Sequence, residues 1–143
     1  MEYRSNKPLR DNERALLKIF QDVTEKYNPL LIVVEGKRDV RILRDLGINA
    51  PMIKTQTNKT REQLADHIVK NAGHKGNVLI LTDFDAEGIE INKTLENLLE
   101  GKKVRVLKRV RIRIRSLMGN WRCIEEMVAL LKRKDSPEPA RGF

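Results

Sequence analysis

Two unbroken apolar runs dominate the chain, Leu30-Leu31-Ile32-Val33-Val34 and Val78-Leu79-Ile80-Leu81 within Asn77–Thr82. Neither alternates with polar residues, and β-branched side chains recur in both. That pattern predicts strands buried on both faces, as in a parallel sheet. Between and around them the period changes to helical. Ala15, Leu16, Ile19, Phe20 and Val23 share one face of a helix that starts at Asp11 or Asn12 and runs to about Tyr27, where Asn28-Pro29 stops it. Residues 38–46 form a short helix closed by Gly47. Met52-Ile53 is a brief second strand, residues 55–60 a polar loop, and Thr60 the cap of a helix reaching about Ala72. Another helix follows Gly88 and ends at Glu100, and Val104–Val106 opens a fourth strand.

Strands alternating with helices predict an α/β fold, an open and mainly parallel sheet of about four strands with helices on both faces. Right-handed crossovers place the strand ends at one edge, and ligand sites in such sheets lie beyond the carboxyl ends. Glu35 ends the first strand, and Asp83 and Asp85 follow the third. The chain divides into an N-terminal arm and helix (1–27), a core (28–110), a basic segment with a C-terminal helix (111–134) and a frayed tail (135–143). Between Lys103 and Arg115 basic and apolar residues alternate, except at Leu107-Lys108. A two-faced strand, or two strands joined by a bulge, fits this best, and a strand followed by a basic helix fits less cleanly. Ile124 to Lys134 reads as a final helix.

Charge changes the picture at the C-terminal end. The net charge is +9; residues 1–100 carry 16 basic and 16 acidic side chains, whereas residues 101–143 carry 13 and 4. A localised basic excess points to a polyanion, nucleic acid first. Arg109, Arg111, Arg113 and Arg115 are its strongest contact candidates, against the alternative of a charged edge strand that guards against aggregation. Hydrophobic residues make up 40% of the chain, enough for a core, yet no apolar run approaches the ~20 residues of a membrane span. The N-terminal residues lack the apolar block of a secretory signal, so a cytoplasmic location without membrane association is expected. Cys123 is the sole cysteine, which excludes an intrachain disulfide and a cysteine-based zinc cluster.

Carboxylates gathered at one sheet edge repel one another, and a hard divalent cation relieves that repulsion. Asp83 and Asp85 are two apart, so on extended backbone both side chains point the same way. Glu87 lies in the first turn of the next helix, where either the helix dipole or a metal would account for it. Glu35 binds metal, serves as general acid or base, or is an ordinary turn residue. Lys37, Arg38 and, in the loop after the second strand, Lys59 are placed to touch phosphate, with solvated charge as the alternative reading.

The segments Val33-Val34-Glu35-Gly36-Lys37-Arg38-Asp39-Val40 and Leu79-Ile80-Leu81-Thr82-Asp83-Phe84-Asp85-Ala86-Glu87-Gly88 resemble the Toprim domain. That domain occurs in type IA and type II topoisomerases, primases, nucleases and recombination-repair proteins. Its pattern is Glu-Gly after the first strand and Asp-x-Asp after a later one. The first motif is most similar to small stand-alone Toprim proteins and Toprim-type ribosomal-RNA maturation nucleases. The overall length and the stretch ending Ile114–Gly119 resemble the archaeal stand-alone Toprim family. The resemblance implies a Toprim (Rossmann-like) fold, magnesium, with manganese as a substitute, on Asp83 and Asp85 with Glu35, and Glu35 as general acid/base. It further implies nuclease chemistry on nucleic acid, with structured RNA favoured over DNA. A non-catalytic RNA-binding module or a subunit of a processing complex is the alternative, and a protein partner or a second copy is left open. Topoisomerase chemistry needs a strand-cleaving tyrosine in a further domain, and only Tyr3 and Tyr27 are present.

Overall fold

The computed structural model describes residues 4–138. Strands β1 (Leu30–Val34), β2 (Met52–Lys54), β3 (Gly76–Ile80) and β4 (Val104–Val106) form one sheet in the order β2-β1-β3-β4. Every pairing is parallel: Ile32 lies opposite Met52 and Leu79, and Val78 opposite Val106. The central position of β1 and β3 explains their uninterrupted apolar runs, since both faces of each are covered.

Alternation along the strands divides the interior in two. Leu31, Val33, Val78 and Ile80 face helices α3 (Arg61–Ala72) and α4 (Ala86–Leu99), through residues such as Leu64, Ile68, Ile91 and Leu95. Leu30, Ile32, Val34, Leu79 and Leu81 face the opposite layer. That layer holds α1 (Asp11–Lys26), α2 (Lys37–Asp45), α5 (Lys108–Leu117), a 3-10 turn (Ile124–Met127) and the short α6 (Val128–Leu131). Thr60 caps α3 as expected, its hydroxyl accepting from the Gln63 amide at 3.1 Å. Gly47 ends α2 at φ +98°, a conformation glycine adopts without a Cβ penalty. Among the described residues no helix is long and apolar enough to cross a membrane.

The alternating stretch is not a long strand. Only Val104–Val106 pairs in the sheet, and Lys108–Leu117 is helical. The buried positions are Leu107, Arg111, Ile114 and Met118, spaced by four, three and four. That is a helical stripe in which one core position is an arginine. Ile112, which completes the alternation, is 67% exposed. The expected boundary at residue 110 accordingly falls inside α5.

Residues 4–9 are joined to residues 130–138 by several bonds. Leu9 is buried, and its amide donates to Asp135 Oδ1 at 2.7 Å. The Ser5 amide donates to the Lys132 carbonyl at 2.5 Å, and that of Lys134 to the Lys7 carbonyl at 3.1 Å. Arg14 pairs with Asp135, and the Ser136 hydroxyl donates to the Leu130 carbonyl. Residues 135–138 are therefore tied down, and the rest of the expected tail lies outside the described residues. The predicted long helix over 124–134 is replaced by the 3-10 turn and α6, because the chain turns back after Leu131 to meet the N-terminal arm.

One ion pair anchors this closure. Arg133 donates to both carboxylate oxygens of Glu13, at 2.9 and 3.2 Å, and the Glu13 side chain is 2% exposed. Glu13 also accepts from the Arg10 amide at 2.8 Å, closing the first turn of α1. Removing one partner of a buried pair strands the other charge. Arg133→Ala is expected to cost about 3–5 kcal/mol in urea unfolding. Glu13→Gln combined with Arg133→Met is expected to recover much of that loss.

Candidate metal and phosphate site

Parallel pairing of β1 with β3 puts their carboxyl ends side by side, with Glu35 directly after β1 and Asp83 three residues after β3. The Leu81 amide donates to the Val33 carbonyl at 2.7 Å, carrying the register one step past β3. Two residues on, the Asp83 amide donates to Glu35 Oε2 at 2.7 Å. Residues 48 apart in sequence are thereby joined directly. The loop after β2 starts at the same place: the Thr55 amide donates to the Val34 carbonyl and the Gln56 amide to the Glu35 carbonyl, at 2.8 and 3.1 Å.

Asp85 is the N-cap of α4, its Oδ1 accepting from the Gly88 amide at 2.8 Å. The Thr82 hydroxyl donates to the Gly88 carbonyl at 2.7 Å. Gly88 sits so close that an added Cβ would lie 2.1 Å from the Asp83 carbonyl oxygen, so only glycine fits there. Glu87 is exposed in the first turn of α4.

The electrostatics follow from crowding. Burial pushes the Asp83 carboxyl up to about 7, and the negative charges of Glu35, Asp39 and Asp85 add to this against the Ile124 amide. Burial also raises Glu35; its bond from the Asp83 amide opposes the shift, and Asp85, Asp39 and Glu87 reinforce it. Asp83 Oδ1 is buried with no hydrogen-bond partner. A buried, unsatisfied carboxylate oxygen is costly.

These donors fit a hard, oxygen-seeking cation. Glu35 and Asp85 each commit one oxygen to a backbone amide, and Asp83 Oδ1 awaits a partner. Among the described residues no three His, Cys, Asp or Glu side chains form a cage for one ion. The fit is thus to a cation held by one or two carboxylates and otherwise by water, the habit of magnesium rather than calcium or zinc.

Two participants escaped the sequence. Arg111 was expected on a nucleic-acid-binding face, but it is buried beneath the acidic loop. Its guanidinium donates to the carbonyls of Ile80 and Thr82 at 3.0 and 2.9 Å, with Asp83 O at 3.5 Å, and lies 4.3 Å from the centre of the Phe84 ring. Burial lowers its pKa to about 10, with Glu96, Glu35 and Asp83 opposing, so it stays charged at neutral pH. Arg111 positions the acidic loop and cannot reach a nucleic acid. Asp39, also buried, accepts from the Gly36 amide at 3.0 Å and holds the Glu-Gly turn at the start of α2. Its signal was present: an acid three residues after an N-cap position.

The other candidates divide. Lys37 and Arg38 are exposed at the start of α2, beside Gly36, with Arg38 3.9 Å from Glu125. Lys59 is exposed in the loop that begins beside Glu35. Arg109 and Arg113 are exposed on α5, whereas half-buried Arg115 bonds the Gly119 carbonyl at 3.1 Å and lies 5.5 Å from the Phe84 ring centre. Burial raises the Cys123 thiol to about 11, which keeps it protonated.

A parallel α/β sheet with paired acidic motifs at its carboxyl edge defines a class of phosphate- and metal-handling domains. Residues 30–117 match the Toprim domain, and the chain belongs to that family. It is similar to the UPF0292 proteins of Thermococcus sibiricus (41% identity over 59% of this chain and 63% of that one) and Thermococcus gammatolerans (38%, over 67% of each). The matched segment spans a little under two thirds of the T. sibiricus relative. Among solved structures, a protein of Aquifex aeolicus superposes with a TM-score of 0.64 at 26% identity, covering 82% of this chain and 99% of that one. Membership links the chain to metal-dependent nucleic-acid enzymology or binding.

Two outcomes are expected. The folded pKa of Asp83 is about 7 against 3.8 unfolded, so the folded state holds its proton more tightly. As pH rises from about 4 to about 7 the unfolded chain ionises first, and this group lowers stability across that window. Thermal unfolding of metal-free protein should show wild type losing stability relative to Asp83→Asn as pH rises across that window. Arg111→Met, which leaves the strand-end carbonyls without their donor, is expected to lose about 1–3 kcal/mol in urea unfolding.

Proposed function

We propose that this protein is a magnesium-dependent enzyme of nucleic-acid phosphodiester chemistry, a nuclease that acts on structured RNA. The observation that carries the reading is the unpartnered oxygen of Asp83, buried on a carboxylate pushed up to about 7 at the edge where Glu35 and Asp85 also lie. Such an arrangement costs stability and calls for a cation. Asp83 and Asp85 would hold it, with Glu35 adjoining them, and manganese would substitute. When bound, the ion supplies charge neutralisation at a phosphate oxygen and at the oxygens whose charge grows in the transition state.

The chain's own residues do the rest. Glu35, held by the Asp83 amide and raised by burial, is placed to accept a proton from an attacking water or return one to the leaving oxygen. Arg111 fixes the carbonyls of the acidic loop from below, so Asp83 and Asp85 are presented on rigid backbone. Lys37 and Arg38, exposed at the start of α2, and Lys59, exposed in the loop after β2, would serve as phosphate contacts. The preference for RNA rests on the similarity of residues 33–40 to ribosomal-RNA maturation nucleases, and a cytoplasmic location accompanies it.

One observation favours a second reading, a non-catalytic nucleic-acid-binding module: Arg109 and Arg113 are exposed on α5, and binding through them requires no metal. Cleavage of a structured RNA with magnesium separates the two. The enzyme reading expects metal-dependent cleavage, reduced about 10²–10⁴-fold by Glu35→Gln and lost in Asp83→Asn. Tight RNA binding without turnover, in magnesium or manganese, supports the module.

A further inference from the structure

Six of the 13 basic side chains of residues 101–143 lie on a surface that excludes the acidic site. Three clefts adjoin one another along the outer side of β4 and α5. The first lies between α1 and α5 and is lined by Lys18, Lys26, Arg109 and Arg113 over an apolar floor of Ile19, Val23 and Val110. The second shares Tyr27, Arg109 and Val110 with it and adds Arg105 and Lys108. The third shares Arg105 with the second and adds Lys75, Lys102 and Lys103, from the loops that enter β3 and β4. Among the described residues the three clefts together carry nine Lys and Arg side chains and one acid, Asp22. All nine cations are exposed.

Structural duties do not account for them. Asp22 pairs with Lys18 at 3.0 Å. Among the described residues no ion pair holds Lys102, Lys103, Arg105, Lys108, Arg109 or Arg113. Edge protection explains a charge or two, but β4 has only three residues and is already a poor template for pairing. Mutual repulsion among nine exposed cations costs stability, and a polyanion relieves it. Tyr27, half-buried at the junction of the first two clefts, and His74, in the third, are the two ring-bearing side chains that line them. A groove that held single strands by stacking would present several. Closely spaced cations without a stacking platform suit the regular phosphate rows of a duplex.

We infer that this band, from the α1–α5 groove across β4 to the loops entering β3 and β4, is a second nucleic-acid surface that grips a duplex by its backbone without reading sequence. Glu35, Asp83 and Asp85 line none of the three clefts. The loops of the third cleft lie at the amino ends of the strands, whereas the acids lie at the carboxyl ends. The band therefore anchors duplex flanking the point of chemistry. This role rests on the nucleic-acid reading of the acidic edge, while the binding itself requires no metal.

The test is fluorescence anisotropy of a labelled RNA duplex of about 20 base pairs, long enough to present successive grooves, titrated in EDTA over a range of salt. Wild type should bind the duplex more tightly than a single strand of equal length. Arg105→Ala, Arg109→Ala and Arg113→Ala combined should weaken binding at least about tenfold and lower the salt slope by up to about 0.9 per lost contact. The same three positions changed to Lys should retain most of the affinity, and Lys70→Ala with Lys93→Ala, exposed on α3 and α4 across the sheet, should change it little. Unchanged affinity and slope in the alanine variant would overturn the inference and leave the band to an acidic protein; tighter binding of the single strand, or no duplex binding at all, would also overturn it. Duplex binding lost in the alanine variant but present in Glu35→Gln, with no cleavage by wild type, would sink the enzyme reading and keep this one.

Discussion

The Asp83 amide reaches across from the end of β3 and donates to the carboxylate of Glu35 at the end of β1. That bond exists because the two strands pair in parallel, register Leu30 with Asn77, and stop within a few residues of each other. Antiparallel pairing would send the two acidic motifs to opposite edges. Parallel strands are slow to pair and must be covered on both faces. Here that cover is split between α3 and α4 on one side and the layer of α1, α2, α5 and the C-terminal segment on the other. Half-burial beside other carboxylates raises Glu35 and Asp83 together. The apolar runs that drive folding thus also create the electrostatic tension at the site.

Arg111 balances part of that tension. It carries positive charge into the interior directly beneath the acidic loop and satisfies the carbonyls of Ile80 and Thr82 that the sheet leaves unpaired. Phe84 covers its flat face. The guanidinium acts on the acids from behind while leaving their solvent side open. Gly88 and the Asp85 cap fix the same loop from α4. The acidic motif is consequently held from below and from the side by groups that need no metal, a preorganised site rather than one assembled on binding.

What the sequence disclosed follows from how local each signal is. The runs at 30–34 and 77–82, the Thr60 cap and the Gly47 stop depend on neighbouring residues, and all four appear in the structure, the second run with its strand ending at Ile80. Helix α5 was obscured because its buried stripe contains an arginine. With Arg111 counted as polar, the apolar positions 110, 112 and 114 mimic a strand, although Ile112 faces solvent. No local pattern marks an arginine whose acceptors lie about 30 residues earlier in the chain. The chain ends escaped for the same reason: Arg133 meets Glu13 across 120 residues, and neither looks unusual among its neighbours. The acidic residues themselves were legible only as a pair of motifs, because convergence depends on strand order and no single motif encodes that.

The central claim is that Asp83 carries a buried oxygen that a divalent cation completes. Anomalous diffraction from crystals grown with manganese addresses it directly. The account predicts an ion at the carboxyl edge bound by Asp83, with Asp85 or Glu35 beside it and waters filling the remaining positions. Crystals with no ion there, and with the Asp83 carboxylate instead satisfied by a protein group, would contradict it.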